Sequence, residues 1–251
     1  MFKQIRTKMH RVMAGLMVVG LAGITQITSA ADAPQEAAPT SGTAHIRVLQ
    51  AMPNGPSLAV ELNEKSVAPD LAANSPSAYF DVPAGKCHIV FTGSKDHEKL
   101  WNSRRTVVAD TYYTAVLYTN EGKTALKLSD ESSASITDGK ARVYFYNYST
   151  DAGDLRITAA SKRAKAGYTQ WLKRVRQGGV SSKSASTGTF TLQLRQGETV
   201  VKEIPNFTVD AGQRLSVFIL GNAADLKVMT TAVGAEKAAS STNTTTTAKA
   251  D

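Results

Sequence analysis

Thr106-Val-Val-Ala-Asp-Thr-Tyr-Tyr-Thr-Ala-Val-Leu-Tyr118 has a counterpart a hundred residues later, Phe207-Thr-Val-Asp-Ala-Gly-Gln-Arg-Leu-Ser-Val-Phe-Ile-Leu220. Each stretch is a short β-type segment, a tight turn containing Asp, and a longer apolar strand. Each then enters a Gly-containing turn, Glu121-Gly-Lys123 or Gly221-Asn-Ala223. A last strand follows, with Leu126-Lys-Leu128 or Leu226-Lys-Val228.

The duplication extends upstream. Ala44-His-Ile-Arg-Val-Leu-Gln50 alternates as a strand does. Its echo is Ala141-Arg-Val-Tyr-Phe-Tyr-Asn-Tyr-Ser149, which puts Val143 on Ile46, Phe145 on Val48 and Asn147 on Gln50. Gly188 to Leu194 falls on Gly85 to Phe91, with Phe190 on Cys87, Leu192 on Ile89 and Leu194 on Phe91. Leu215, Val217 and Ile219 fall on Tyr113, Ala115 and Leu117. The apolar face is kept in all three strands, because a slip of one residue would turn each strand inside out.

Leu58-Ala-Val-Glu-Leu62 and Tyr79-Phe-Asp-Val82 read as further strands. Residues 63–78, with Pro69 and Pro76, read as loop, and residues 93–102 as a polar loop. Short strands between turn residues predict an all-β protein of two tandem antiparallel β-sandwich (Ig-like) domains from an internal duplication. The repeats span residues 43–130 and 140–233, and a short polar joint lies near residues 129–139. The spacing is that of domains rather than of a solenoid.

Residues 1–30 read as a signal peptide. Lys3, Arg6, Lys8 and Arg11 precede a short apolar run from Val12 to Ile24, and Thr28-Ser-Ala30 ends in a small-residue cleavage site. The run is short for a membrane span, although an uncleaved anchor is the competing reading. Removing it takes four cations and lowers the formal charge from +8 to +4. The expected location is periplasmic, with extracellular as the alternative. Residues 31–42 read as a disordered leader and 234–251 as a disordered Ala/Thr-rich tail. The single cysteine, Cys87, excludes an intrachain disulfide and a Cys-cluster metal site.

The strand patterns Ile46-Arg-Val-Leu-Gln-Ala51 and Val143-Tyr-Phe-Tyr-Asn-Tyr-Ser149 carry a family likeness, together with Tyr79-Phe-Asp-Val-Pro-Ala-Gly85 and the duplicated stretches. On these the chain resembles the AlgF family of periplasmic alginate O-acetylation proteins. It is also similar to a broader group of secreted tandem sandwich domains of uncharacterised function. The resemblance implies a non-catalytic accessory protein in O-acetylation of an exopolysaccharide, working beside a membrane-bound acyl exporter and separate acetyltransferases. The Thr-rich tail and a long basic loop in the second repeat depart from that pattern. The alternative is a secreted polysaccharide-binding or envelope-interaction module unrelated to acetylation.

The most functional-looking stretch runs from Leu155 to Gly197, which holds no acidic residue. Within it, Lys162, Arg163, Lys165, Tyr168, Trp171, Lys173, Arg174 and Arg176 form the candidate binding set, and residues 168–176 are compatible with a helical turn or two. Cations beside aromatic rings suit an acidic polysaccharide, and equally an acidic protein or lipid headgroups. The competing reading is a solvated loop tacked down by Trp171 and Leu172. Arg142, Tyr144, Tyr146 and Tyr148 line one strand face, either as a glycan platform or, more commonly, as packing.

No catalytic constellation is readable. His45, His88 and His97 have no partner at metal-ligand spacing, and His45 and His88 are expected on outward strand positions. No serine sits in a nucleophile motif and no Gly-rich phosphate loop follows a strand. No cofactor or metal is expected, nor a nucleic-acid partner. Cys87 is expected to be a buried, inert thiol.

Overall fold

A computed structural model describes residues 42–132, 134–162 and 167–234. The signal peptide, most of the leader and tail, and Arg163 and Lys165 lie outside the described residues. The first half contains β1 (Thr43–Ala51), β2 (Leu58–Leu62), β3 (Lys65–Leu71), β4 (Phe80–Pro83), β5 (Gly85–Gly93), β6 (Lys99–Val107), β7 (Tyr112–Asn120) and β8 (Lys123–Asp130). The second half repeats this order with β9 (Lys140–Ser149), β10 (Leu155–Ser161), β11 (Thr169–Val175), β12 (Gly179–Ser186), β13 (Gly188–Gln196), β14 (Thr199–Val209), β15 (Arg214–Asn222) and β16 (Asp225–Ala232).

Each half is two four-stranded sheets. In the first they are ordered β4-β1-β7-β8 and β3-β2-β5-β6, and in the second β12-β9-β15-β16 and β11-β10-β13-β14. Between the named strands, pairing is antiparallel except for one parallel pair per half, β1 with β7 and β9 with β15. Ile46 lies beside Tyr113 and Val143 beside Leu215, so the register of the two copies is the same.

The alternating residues fill the two sandwich cores. Ile46, Val48, Val60, Cys87, Ile89, Phe91, Ala115 and Leu117 are buried together in the first. Val143, Phe145, Ile157, Leu192, Leu194, Val217 and Ile219 are buried together in the second. At the end of each alternating run an amide replaces the apolar residue. Gln50 donates to the Pro56 carbonyl at 2.9 Å, and Asn147 donates to the Gly153 carbonyl at 2.8 Å and the Val175 carbonyl at 3.1 Å. Both side chains are fully buried, and their bonds supply partners for carbonyls that a loop would otherwise leave unsatisfied.

Three sequence expectations change. Residues 65–71, read as loop, form β3, which pairs with β2 and carries Pro69. An outer strand tolerates proline because one side of its backbone needs no ladder bond. Lys99 to Asn102, read as the end of a polar loop, already belong to β6. Thr169–Val175 is a strand rather than a helical turn. It finds a ladder partner in β10, and a tertiary partner outweighs weak local helix preference.

Cys87 is completely buried, and burial pushes its thiol up to about 11. We expect a thiol reagent at pH 8 to leave the folded protein unmodified and to react fully after denaturation. Labelling followed by mass measurement checks this, since reaction requires an exposed thiolate.

Candidate functional site

The outward faces of β1, β7, β9 and β15 are also buried. Leu49, Ala51 and Val116 of the first half pack against Tyr144, Tyr146, Tyr148, Phe218 and Leu220 of the second. The tyrosine strip is therefore packing between halves, not a glycan platform. Tyr146 lies 4.9 Å from Phe218, and Tyr118 meets Tyr148 edge-on at 4.8 Å. The hydroxyls of Tyr144 and Tyr148 are buried with no partner among the described residues, a cost that the aromatic contact offsets.

A buried ion pair sits in this contact. Arg47 and Glu131 are 2% and 0% exposed and meet at 2.7 Å. The Glu131 carboxylate also accepts from Tyr79 and Thr114 at 2.7 Å, from Tyr146 at 2.8 Å and from Ser216. Arg47 donates to Thr114 at 2.7 Å and to Thr231, and its guanidinium carbon lies 4.9 Å from the ring centres of Tyr79 and Phe218. Burial, and then the neighbouring carboxylate, push the Tyr79 and Tyr146 phenols far up, so both remain protonated donors. Tyr146, Ser216, Phe218 and Thr231 belong to the second half, Arg47, Tyr79 and Thr114 to the first, and Glu131 to the joint just after β8. The knot thus ties one sandwich to the other, with the charges neutralised in place.

The packing of the halves creates a groove at its edge. β11 is an edge strand of the outer sheet, and the chain turns at residues 176–179 into β12, an edge strand of the inner sheet. Gln177 donates from its backbone to Asp154 at 3.1 Å and from its amide to the Ser149 and Thr150 carbonyls at 2.9 and 2.6 Å. Arg174 pairs with Asp154 at 2.5 Å. The Gln177 N–H, aided by the Arg174 guanidinium, holds the Asp154 carboxyl below its usual range.

Gly178 has a left-handed φ of 67°, and a Cβ there would lie 2.9 Å from Cε2 of Tyr118 in the other half. Gly178→Ala is expected to destabilise the protein by about 1–3 kcal/mol through backbone strain and displacement of Tyr118. Chemical denaturation compared with wild type checks this.

The groove encloses about 420 Å³ and is lined by Arg174, Arg176, Gln177, the turn glycines and the start of β12, with Lys127 from β8 of the first half. Arg176 and Lys127 are exposed and form no salt bridge among the described residues, although the Arg176 charge also acts on Asp154. Three cations with one partnered acid leave an excess of positive charge in a concave site, which attracts and orients an anion. A second depression of about 360 Å³ in the first half, lined by Asn63, Glu64, Lys86, His88 and Arg104, already holds a carboxylate.

The structure brings together only part of the set read from the sequence. Arg174 and Arg176 share the groove. Lys173 is exposed on β11 outside it. Lys162 donates to Asn206, and Tyr168 to Glu203 at 3.2 Å, at the opposite end of β11. Trp171 turns inward, edge-on to Phe190 at 4.9 Å and near Phe207 and Phe145. It is half-buried and packs against the core of the second sandwich. Lys127 gave no signal in sequence, since its place beside Arg176 exists only once the halves pack.

His45 and His88 are on outward strand positions, whereas His97 lies in the loop between β5 and β6. His45 bonds Asp81 at 2.7 Å and stacks on Tyr112, and His88 bonds Asn102 at 2.6 Å. Neither bond includes a serine, and among the described residues no cluster of three His, Cys, Asp or Glu is placed to hold a metal. No helix among the described residues is long and apolar enough to cross a membrane.

Fold and groove together define an all-β chain of two duplicated sandwiches with a cationic groove at their contact. A family model described as "Domain of unknown function (DUF4397)" matches residues 44–158, the first half and the start of the second. No curated protein matches the chain. Similar solved structures include a family 41 carbohydrate-binding module of streptococcal virulence factors, described for alpha-glucan recognition. It is 13% identical, covers 73% of this chain and 95% of its own, and has a TM-score of 0.27. A family 26 module from Eubacterium rectale Amy13K, in complex with maltoheptaose, is 11% identical and covers 75% and 97% with a TM-score of 0.22. A leucine-rich repeat protein from Bacteroides thetaiotaomicron is 12% identical, with 67% and 24% covered and a TM-score of 0.18. Likeness at this level assigns no ligand to this chain.

Proposed function

We propose that the protein is a non-catalytic binding module that holds an acidic polysaccharide in the groove between its halves. The observation that supports this is the placement of Lys127, Arg174 and Arg176 around one concave site, where Asp154 is the acid that meets them and only Arg174 forms a salt bridge with it among the described residues. A polymer of uronate units presents regularly spaced carboxylates on an otherwise hydroxylated chain. Guanidinium groups receive such carboxylates through two parallel hydrogen bonds. Gln177 and the backbone of the β12 edge supply neutral groups for hydroxyls. Export through the N-terminal signal sequence is part of the proposal and brings the chain to the periplasm or the exterior, where such polymers occur.

Alginate serves as the probe and dextran as the neutral control. Wild-type protein is expected to bind alginate, more weakly as salt rises, and not to bind dextran. Equal affinity for the two polymers, or none for alginate, overturns the reading.

A finer form draws on the resemblance to alginate O-acetylation proteins. The module then holds polymer, or the acetyltransferases themselves, during exopolysaccharide O-acetylation. Recovery of an acetyltransferase or acyl exporter with the protein from solubilised envelopes supports it. Unchanged polymer acetylation after loss of the protein, in a cell that acetylates its polymer, overturns it.

A further inference from the structure

We infer that Tyr168 is a stacking subsite for one pyranose ring of the same polysaccharide, so that the polymer runs along the β11 edge from this ring to the groove. The inference rests on the polysaccharide reading of the groove. Tyr168 immediately precedes β11, an edge strand of the outer sheet. Its hydroxyl nevertheless reaches Glu203 on β14, the opposite edge strand, at 3.2 Å. The two edge strands are three spacings apart, roughly 14 Å, so Tyr168 and Glu203 reach toward one another above β10 and β13, and the ring lies along the sheet rather than standing away from it. It still exposes 44% of its surface, among the few large apolar side chains to do so.

The groups around the ring are polar and tied in place. Gln193 donates to Glu203 at 3.1 Å, and Arg195 donates to Gln193 at 3.0 Å. Gln170, Thr158, Gln193 and Glu203 stand in register across the four strands.

A fixed aromatic ring within a row of amide, carboxylate and guanidinium groups matches a sugar unit. The C–H face of a pyranose covers the ring, and its hydroxyl rim meets the planar polar groups. An apolar ligand would leave those groups unpaired, at a cost. Pinning the ring by its hydroxyl before binding limits the entropy lost on binding.

Tyr168 and Arg174 are separated by most of one strand, roughly 20 Å at about 3.3 Å per residue. A short oligouronate in the groove does not reach Tyr168, whereas a long chain does. Occupying both subsites makes the second contact intramolecular, so affinity rises with chain length.

The test measures affinity for long-chain alginate and for an alginate trisaccharide, using wild type, Tyr168→Ala and Tyr168→Phe, with thermal unfolding confirming that each variant is folded. Tyr168→Ala is expected to weaken long-chain binding about tenfold, near 1.4 kcal/mol, and to leave trisaccharide binding unchanged. Tyr168→Phe keeps the ring and stays within about threefold of wild type. Two results overturn the inference alone: long-chain binding unchanged in Tyr168→Ala, or equal losses for both ligands. Wild type that binds neither ligand overturns the groove reading, and this inference with it.

Discussion

Glu131→Ala is expected to destabilise the protein by about 3–5 kcal/mol, the range for breaking a buried ion pair by removing one partner. The carboxylate is fully buried and accepts from Arg47, Tyr79, Thr114, Tyr146 and Ser216. Its loss leaves a guanidinium that is 2% exposed without a counter-charge, and several donors without an acceptor. Ring faces of Tyr79 and Phe218 remain beside Arg47, but a cation–π contact replaces only part of a buried carboxylate. The double variant Arg47→Met/Glu131→Leu removes both charges and is expected to be markedly more stable than Glu131→Ala. Denaturation curves of the two variants and wild type decide the matter. A Glu131→Ala protein within 1 kcal/mol of wild type would mean that the knot is not desolvated in solution. Because Glu131 bonds to both halves, the loss should appear as weakened contact between them, seen as faster amide exchange in β9 and β15.

The triple change Lys127→Ala/Arg174→Ala/Arg176→Ala is expected to reduce alginate affinity at least a hundredfold, with little change in stability. Each charge-assisted hydrogen bond to a ligand carboxylate contributes about 1.5–3 kcal/mol, and three lost together exceed the 2.8 kcal/mol or so of a hundredfold change. The three side chains are exposed, and exposed ion pairs such as Arg174 with Asp154 add little to stability. Salt should weaken wild-type binding steeply and the residual binding of the variant only slightly, since screening acts on the charges removed. A variant that binds alginate as wild type does would move the site away from the groove. Lys127→Ala alone is the sharper control. It lies in the first half, far in sequence from the basic stretch, and lowers affinity only if the groove is assembled from both halves.

The duplicated strand plan was legible from the residues alone. Alternation with a period of two is local, so Ile46, Val48 and Ala115 and their counterparts Val143, Phe145 and Val217 identify their inward faces without knowledge of any neighbour. The turn residues between them mark strand ends for the same reason. Strands with weaker patterns were legible only in part. Residues 65–71 and 169–175 carry Pro69 or mixed polarity, and it is their partners β2 and β10 that make them strands.

What covers the outward faces was decided by tertiary structure. Tyr144, Tyr146 and Tyr148 fit a surface strip as well as a contact between halves. The one sequence signal for burial on both faces was the uninterrupted apolar run in Ala115 to Leu117 and in Val217 to Leu220. Arg47 and Glu131 are 84 residues apart, and in sequence they read as an outward strand residue and a member of a polar joint. Only packing takes them from water and obliges them to pair. The groove has the same origin. Arg174 and Arg176 were visible as part of a basic stretch, whereas Lys127 joins them, and Trp171 leaves them, because of where the two sandwiches and the core of the second place those side chains.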